Sequence, residues 1–237
     1  MFDRTEMLIG SEGLDILSNA EVIIFGIGGV GSYAAEALAR AAIGRLILVD
    51  HDVIDITNLN RQIHGLQSTI GLPKVEVMSE RIRDINPCCD VEVRREFYTP
   101  EKETDFFNQS YDYVLDAIDS VRAKLGLITA CLQRQIPIIS SMGAGNKLEP
   151  SGFHVVDIKD TYNDPLARVI RRRLRALGIN KGLNVVFSPE LPQTPIRGEN
   201  GSTPASISFV PPVAGLVMAG FVIQKLLAGK VGHVKNS

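Results

Sequence analysis

EVIIFGIGGVGSYAAEALARAAIGRLILVD, residues 21–50, decides the fold. EVIIFGIG is apolar on both faces, as a strand buried in a parallel sheet must be. At its end Gly26, Gly28 and Gly31 stand in G-x-G-x-x-G spacing, where a tight turn and a close backbone approach exclude side chains. The alanine-rich VGSYAAEALARAAIG reads as a helix ending near Gly44. RLILVD is a second strand closed by Asp50. The helix N-terminus offers free N–H groups and a positive dipole to a phosphate, and a carboxylate at the next strand end accepts ribose hydroxyls. The stretch therefore predicts an adenine-nucleotide site.

Outward from it, a helix is expected over residues 11–18 before the first strand. After Asp50 come the helix KVEVMSERIRDINP, stopped by Pro87, and the strands DVEVRREF and YDYVLDAID. The helix KLGLITACLQRQ and the strand IPIISSMG follow. This rhythm predicts an α/β protein with a Rossmann-like, doubly wound, mostly parallel sheet, its nucleotide-binding region spanning residues 1–150. Residues 151–237 read as a C-terminal α/β extension of the same domain that binds substrate and packs a dimer. They hold the strand GFHVVDIKD, the helix DPLARVIRRRLRALGI and the strand LNVVFSPE. The long loop SPELPQTPIRGENGSTPAS follows, and loops of that length are usually functional or disordered. The last apolar stretch, ISFVPPVAGLVMAGFVIQKLLAG, is roughly long enough to span a bilayer. Pro211 and Pro212 interrupt it, so it reads as a buried strand plus helix at a subunit interface rather than a membrane span.

The net charge of -2 over 237 residues excludes a wholly basic nucleic-acid binder and leaves room for a local basic patch. Cys88, Cys89 and Cys131 contain no CxxC pair, which argues against a disulfide framework and a thiolate zinc site. Reduced thiols, and an opening MFDRTEML without the apolar core of a signal peptide, fit a cytoplasmic setting. Cys131 lies in an apolar helix and reads as a core residue. His51, His64, His154 and His233 share no metal or triad spacing and read as structural or surface residues.

A hydride-carrying cofactor would need nothing beyond the glycine turn and Asp50. Here TNLNRQ, residues 57–62, follows at once, with Asn58, Arg61 and Gln62, and then Lys74 in GLPK. The planar fork of an arginine and the point charge of a lysine suit a triphosphate. Asp119, at the end of YDYVLDAID, returns a carboxylate to the same edge of the sheet, where it can hold Mg²⁺ beside phosphates. No Walker A motif is present.

GIGGVGS, LVDHDVI, TNLNRQ, GLPKVE, the NP after the following helix, and DAIDS together resemble the ThiF/MoeB/HesA family, the E1-like adenylyltransferases that activate carboxylates with ATP. The resemblance covers roughly residues 4–145. It implies ATP contacts at Gly28, Gly29, Asp50, Asp52, Asn58, Arg61, Lys74 and Asp119, with Gly26, Gly31, Gln62 and Ser120 beside them. It also implies that Arg4 reaches the triphosphate of the other subunit of a homodimer. Arg61, Lys74, Asp119 and Arg4 are thus the expected catalytic set, with Mg²⁺ on Asp119. A monovalent cation is compatible with such a site, and no residue pattern marks its ligands.

Within the family, the missing zinc cysteines and the basic helix look most similar to members that cyclise threonylcarbamoyladenosine in tRNA. Arg168, Arg171, Arg172 and Arg175 fall three and four apart on one helix face. No acid lies between Asp164 and Glu190, so the stripe is expected to contact tRNA phosphates, with Arg197 adding to it. The implied reaction is adenylation of the threonyl carboxylate, ring closure with loss of water, and release of AMP and pyrophosphate. The competing reading is adenylation of the C-terminal carboxylate of a ubiquitin-like or sulfur-carrier protein. A sulfur-transfer or acceptor protein is left open as a partner. A dehydrogenase or simple NAD binder is disfavoured by Asn58, Arg61 and Lys74.

Overall fold

Residues 1–196 and 204–228 are described by the structure, a computed structural model; Arg197 and His233 lie outside them. Helix α1 (Asp3–Ser18) is broken at Gly10, where φ is +74°. The helix expected over 11–18 therefore gains an N-terminal piece that carries Arg4. Strand β1 (Glu21–Phe25), helix α2 (Gly31–Arg40) and strand β2 (Arg45–Val49) form the expected βαβ unit. Helix α3 (Lys74–Ile85) and β3 (Asp90–Arg94) follow, then a short α4 (Glu103–Phe106) that the sequence does not announce. Next come β4 (Tyr113–Asp116), α5 (Val121–Arg134) and β5 (Ile138–Ser141). The second half adds β6 (His154–Asp157), α6 (Pro165–Ala176), β7 (Asn184–Phe187) and α7 (Val210–Leu227).

Among the described residues, seven strands join one sheet in the order β3-β2-β1-β4-β5-β7-β6. Of these, only β6 runs antiparallel, against β7. The fold is thus the expected α/β, doubly wound, mostly parallel sheet. The order reverses between β1 and β4, and ligands of such sheets bind at the carboxyl ends of strands flanking that point.

Two expectations are corrected. DVEVRREF pairs only over Asp90–Arg94, because β2 supplies partners from Arg45 to Val49 and then ends. ISFV forms no strand: residues 204–209 run as loop straight into α7. α7 is long and apolar enough to cross a membrane, and half of it is buried within this chain. It packs along α2, and at Gly215 an added Cβ would lie 2.2 Å from the Val30 carbonyl oxygen.

Apolar side chains cover both faces of the sheet. One cluster joins Leu17, Leu38, Met78 and Met218 from α1, α2, α3 and α7. The other joins Phe106, Leu127, Cys131, Ile170 and Leu174 from α4, α5 and α6. Cys131 is fully buried, as expected of a core residue, and burial pushes its thiol well above the ordinary range. Below the open edge of the sheet lies a fully buried ion pair. Lys124 Nζ donates to Asp116 Oδ2 at 2.8 Å, to Ser140 Oγ at 3.2 Å and to the Ser141 carbonyl at 3.0 Å. The Ser140 hydroxyl donates to the same Asp116 oxygen at 2.6 Å. The network ties the carboxyl ends of β4 and β5 to α5.

Candidate active site

A cavity of about 680 Å³ opens at the switch point. Its floor is the glycine loop. Gly26 adopts φ +89°, and a Cβ there would sit 2.7 Å from the Ala117 carbonyl oxygen. A Cβ on Gly31 would fall 1.8 Å from the Gly26 carbonyl oxygen. These positions must be glycine for the turn to exist.

Residues 53–73 leave the end of β2 and return to it. An antiparallel bridge pairs Val53 with Pro73, and Lys74 N donates to the Asp52 carbonyl at 3.1 Å. Closing the excursion places Lys74 at the start of α3 beside Asp52, with 2.6 Å from Nζ to Oδ2. Within it, Asp55 and Asn58 cap each other's backbone: Asn58 Oδ1 accepts from Asp55 N at 3.1 Å. Arg61 comes out of this turn half-buried, its aliphatic stem against Gly29, which Pro211 touches as well. Its Nη1 donates to the Thr57 carbonyl and to Asn60 Oδ1, each at 2.9 Å. No carboxylate lies within ion-pair distance of it among the described residues. Burial pulls its pKa below the ordinary value, yet a guanidinium stays charged. Arg61 is therefore a partly desolvated cation without a counterion among the described residues.

Asp50 receives backbone N–H donors from Ile27 at 2.7 Å and Asp52 at 2.9 Å, which fixes its carboxylate at the strand end with lone pairs to spare. Gln62 is buried, and its Oε1 has no hydrogen-bond partner among the described residues. An orphaned polar atom in the cavity wall fits a site built around a polar ligand. Asp119 is exposed on the same cavity and its carboxylate is unpaired among the described residues. That free, hard oxygen fits Mg²⁺. Asp50, His51 and Asp52 also place ligand atoms within 4.8 Å of one another, but Asp50 is held by backbone and Asp52 by Lys74, so Asp119 fits the ion better.

Gly26, Gly28, Gly29, Asp50, Asp52, Asn58, Arg61, Gln62, Lys74 and Asp119 all line this one cavity. Gly31 underlies it through the close contact with Gly26. Ser120 does not line it; it is the N-cap residue of α5. Arg4 is exposed on α1 and stands outside the cavity of its own chain. On α6, Arg168, Arg172 and Arg175 are exposed. Arg171 is half-buried and its guanidinium bonds the Thr161 carbonyl and hydroxyl.

The sequence reading missed the other half of the cavity. Phe97 and Tyr98 line one wall. Residues 142–147, Asp164–Leu166 and Pro204–Ser206 form the far side. There Lys147 Nζ, almost wholly buried, donates to Asp164 Oδ2 at 3.2 Å and the Ser188 carbonyl at 2.9 Å. Asp164 also caps α6 through Ala167 N at 2.9 Å, so the basic helix starts in the cavity wall. The available signals were GAGNK just after a strand and NDP opening a helix.

His64, read only as structural, is bound to the glycine loop. Because the Ile27 carbonyl only accepts, Nε2 carries the proton of their 2.7 Å bond. Burial holds its pKa below the usual 6.5, against the opposing effect of that bond and helped by the charge of Lys74. A group that stays neutral when folded yet protonates when unfolded gives stability present above the unfolded pKa and lost as pH falls through the folded one. The urea midpoint is expected to drop on acidification below 6.5, and His64→Phe should flatten that part of the pH profile.

A doubly wound sheet with its glycine loop, an arginine-bearing excursion after the second strand and a free acid at the fourth defines an adenylate-forming site. The chain belongs to the ThiF family, with the match covering residues 2–237. Among its relatives, the tRNA threonylcarbamoyladenosine dehydratase of Bacillus subtilis (strain 168) is 50% identical over 239 residues, covering 95% of this chain and 94% of that protein. The Escherichia coli (strain K12) protein of the same name is 45% identical over 196 residues, 80% of this chain and 73% of that protein. The crystal structure of E. coli tRNA N6-threonylcarbamoyladenosine dehydratase in complex with ATP superposes with a TM-score of 0.90 at 40% identity, over 96% of this chain and 93% of that chain.

Proposed function

We propose that this chain is an ATP-dependent dehydratase that cyclises threonylcarbamoyladenosine in tRNA. The observation that carries the reading is Arg61, a half-buried cation without a carboxylate partner among the described residues, set over the glycine loop. Near-full-length similarity to dehydratases of that name supports the choice of substrate over a carrier protein.

The glycine loop and the start of α2 receive the phosphates, and Asp50 receives the ribose. The threonyl carboxylate attacks the α-phosphorus, and pyrophosphate leaves with its charge met by Arg61 and Lys74. Mg²⁺, held by Asp119, would supply further charge neutralisation on the phosphates. The substrate's own nucleophile then attacks the activated carbonyl, loses its proton, and expels AMP. One carboxylate oxygen departs on AMP, so the nucleoside loses the elements of water. Both reacting groups belong to one nucleoside, and orientation within the cavity supplies much of the rate.

Residues 1–150 would bind ATP, and residues 151–237 the nucleoside and tRNA. α6 supports this division, since its capped end forms cavity wall while Arg168, Arg172 and Arg175 run outward. Arg172→Glu with Arg175→Glu is expected to weaken tRNA binding and flatten its salt dependence while ATP affinity stays unchanged; filter binding across a salt series checks it. Equal tRNA affinity at all salts would remove α6 from the interface.

A homodimer with Arg4 acting in trans is part of this reading. Arg4 stands outside its own cavity, and Met7 and Leu8 beside it are 87% and 84% exposed. Arg4→Ala and Arg61→Ala homodimers should each be inactive. Mixing and re-annealing the two should restore about a quarter of wild-type activity, because half of each heterodimer has a complete site. No recovery would refute the trans role. A cytoplasmic location and a sulfur-transfer or acceptor partner remain compatible with this chemistry.

The deciding experiment gives the protein Mg²⁺-ATP and tRNA carrying threonylcarbamoyladenosine, then weighs the nucleosides by mass spectrometry and counts AMP. Loss of one water per AMP supports the dehydratase. AMP production only with a carrier protein would favour the alternative.

A further inference from the structure

Asn60 sits between two parts of the cavity that the reaction must coordinate. Its Oδ1 accepts from Arg61 Nη1 at 2.9 Å, and its Nδ2 donates to the Ser206 carbonyl at 3.0 Å. A guanidinium can only donate and a carbonyl can only accept, so this network allows the amide a single orientation. Aspartate at this position could serve Arg61 but would set an oxygen against the Ser206 carbonyl. Alanine would serve neither.

The arm that Asn60 holds lines the substrate half of the cavity through Pro204, Ala205 and Ser206. Its other anchor is Asn146, in the left-handed conformation at φ +59°. Asn146 N donates to the Ala205 carbonyl at 2.8 Å, and Asn146 Oδ1 accepts from Ala205 N at 2.7 Å. The arm thus spans from the end of β5 to the phosphate clamp, and Asn60 is its only hydrogen bond to the excursion that carries Arg61 among the described residues.

We propose that Asn60 is a positioning residue that aims the Arg61 guanidinium at the triphosphate and couples it to the seating of the 204–206 arm. It touches no reacting atom and works through Arg61. The inference rests on the assignment of Arg61 to the ATP phosphates and is independent of which acceptor is adenylated.

The test uses the full chain without tRNA, so that ATP binds without turnover. Affinities for Mg²⁺-ATP and for AMP are measured by calorimetry in wild type, Asn60→Ala, Arg61→Ala and the double variant. Losing an aimed, charge-assisted bond should weaken ATP about tenfold in Asn60→Ala and leave AMP within about twofold. In the Arg61→Ala background the same change should cost nothing further. Hydrogen exchange at residues 205–209 should be faster in Asn60→Ala than in wild type. A role limited to loop stability would weaken ATP and AMP alike, or persist in the double variant, and either result overturns the proposal. So does unaltered exchange in the arm. Wild-type protein that binds no ATP would instead remove the nucleotide reading itself, and the proposal with it.

Discussion

Arg61→Ala should lower AMP release about a hundred- to a thousandfold, the range seen when one preorganised transition-state donor is removed. The size follows from its surroundings. Arg61 is half-buried, is held by the Thr57 carbonyl and Asn60 Oδ1, and has no carboxylate nearby among the described residues to share its charge. Lys74 is different: Asp52 lies 2.6 Å from its Nζ and already satisfies it. Lys74→Ala should also be costly, because it removes a cation and leaves the Asp52 carboxylate unpaired in the cavity that receives the phosphates. The fold should survive Arg61→Ala, since the excursion is closed by Val53 and Pro73 rather than by the guanidinium. AMP release with matched circular dichroism measures both points. Wild-type turnover in Arg61→Ala would refute the phosphate clamp.

Lys124→Met should destabilise the protein by about 3–5 kcal/mol, the usual result of stripping one partner from a buried pair. Both side chains are fully inaccessible, and Asp116 has no route to water. Ser140 and the Ile118 amide still donate to it, at 2.6 and 3.1 Å, but neither carries charge. The paired variant Lys124→Met, Asp116→Leu should recover part of the loss, since it buries no charge and, beyond the bonds already lost with Lys124, gives up only those two neutral ones. Urea denaturation of the three proteins measures it. A single variant as stable as wild type would mean that the site admits water or that Asp116 takes up a proton.

The nucleotide half was legible because its information is local. β1, the glycine turn, α2, β2 and Asp50 follow one another within residues 21–50, and TNLNRQ comes directly after. The far half was not, because Asn146, Lys147, Asp164 and Ala205 meet only through the pairing of β5 with β7 and the return of the chain above them. Nothing in the spacing of those residues encodes that meeting. Ser120 was drawn toward the site by its place in DAIDS, whereas its backbone is committed to starting α5. Arg171 has the helical spacing of a surface stripe, but it lies next to the buried face and folds back on Thr161. The last apolar segment reads as an interface helix, yet its first turn lies on the glycine loop, a contact across most of the chain that periodicity does not carry.

That contact bears on how the protein is made. Pro211 abuts Gly29 and Gly215 abuts the Val30 carbonyl, so residues synthesised early wait for residues synthesised much later. On the ribosome, β1, α2 and β2 emerge long before α7, and until then the flank of α2 that α7 covers and the Pro211 side of Gly29 stay exposed. A nascent chain halted before residue 210 would carry Gly26, Gly28, Gly29, Gly31, Asp50, Arg61 and Lys74, yet expose that flank to chaperones and proteases. ATP affinity is accordingly expected only once α7 has docked on α2 and the glycine loop.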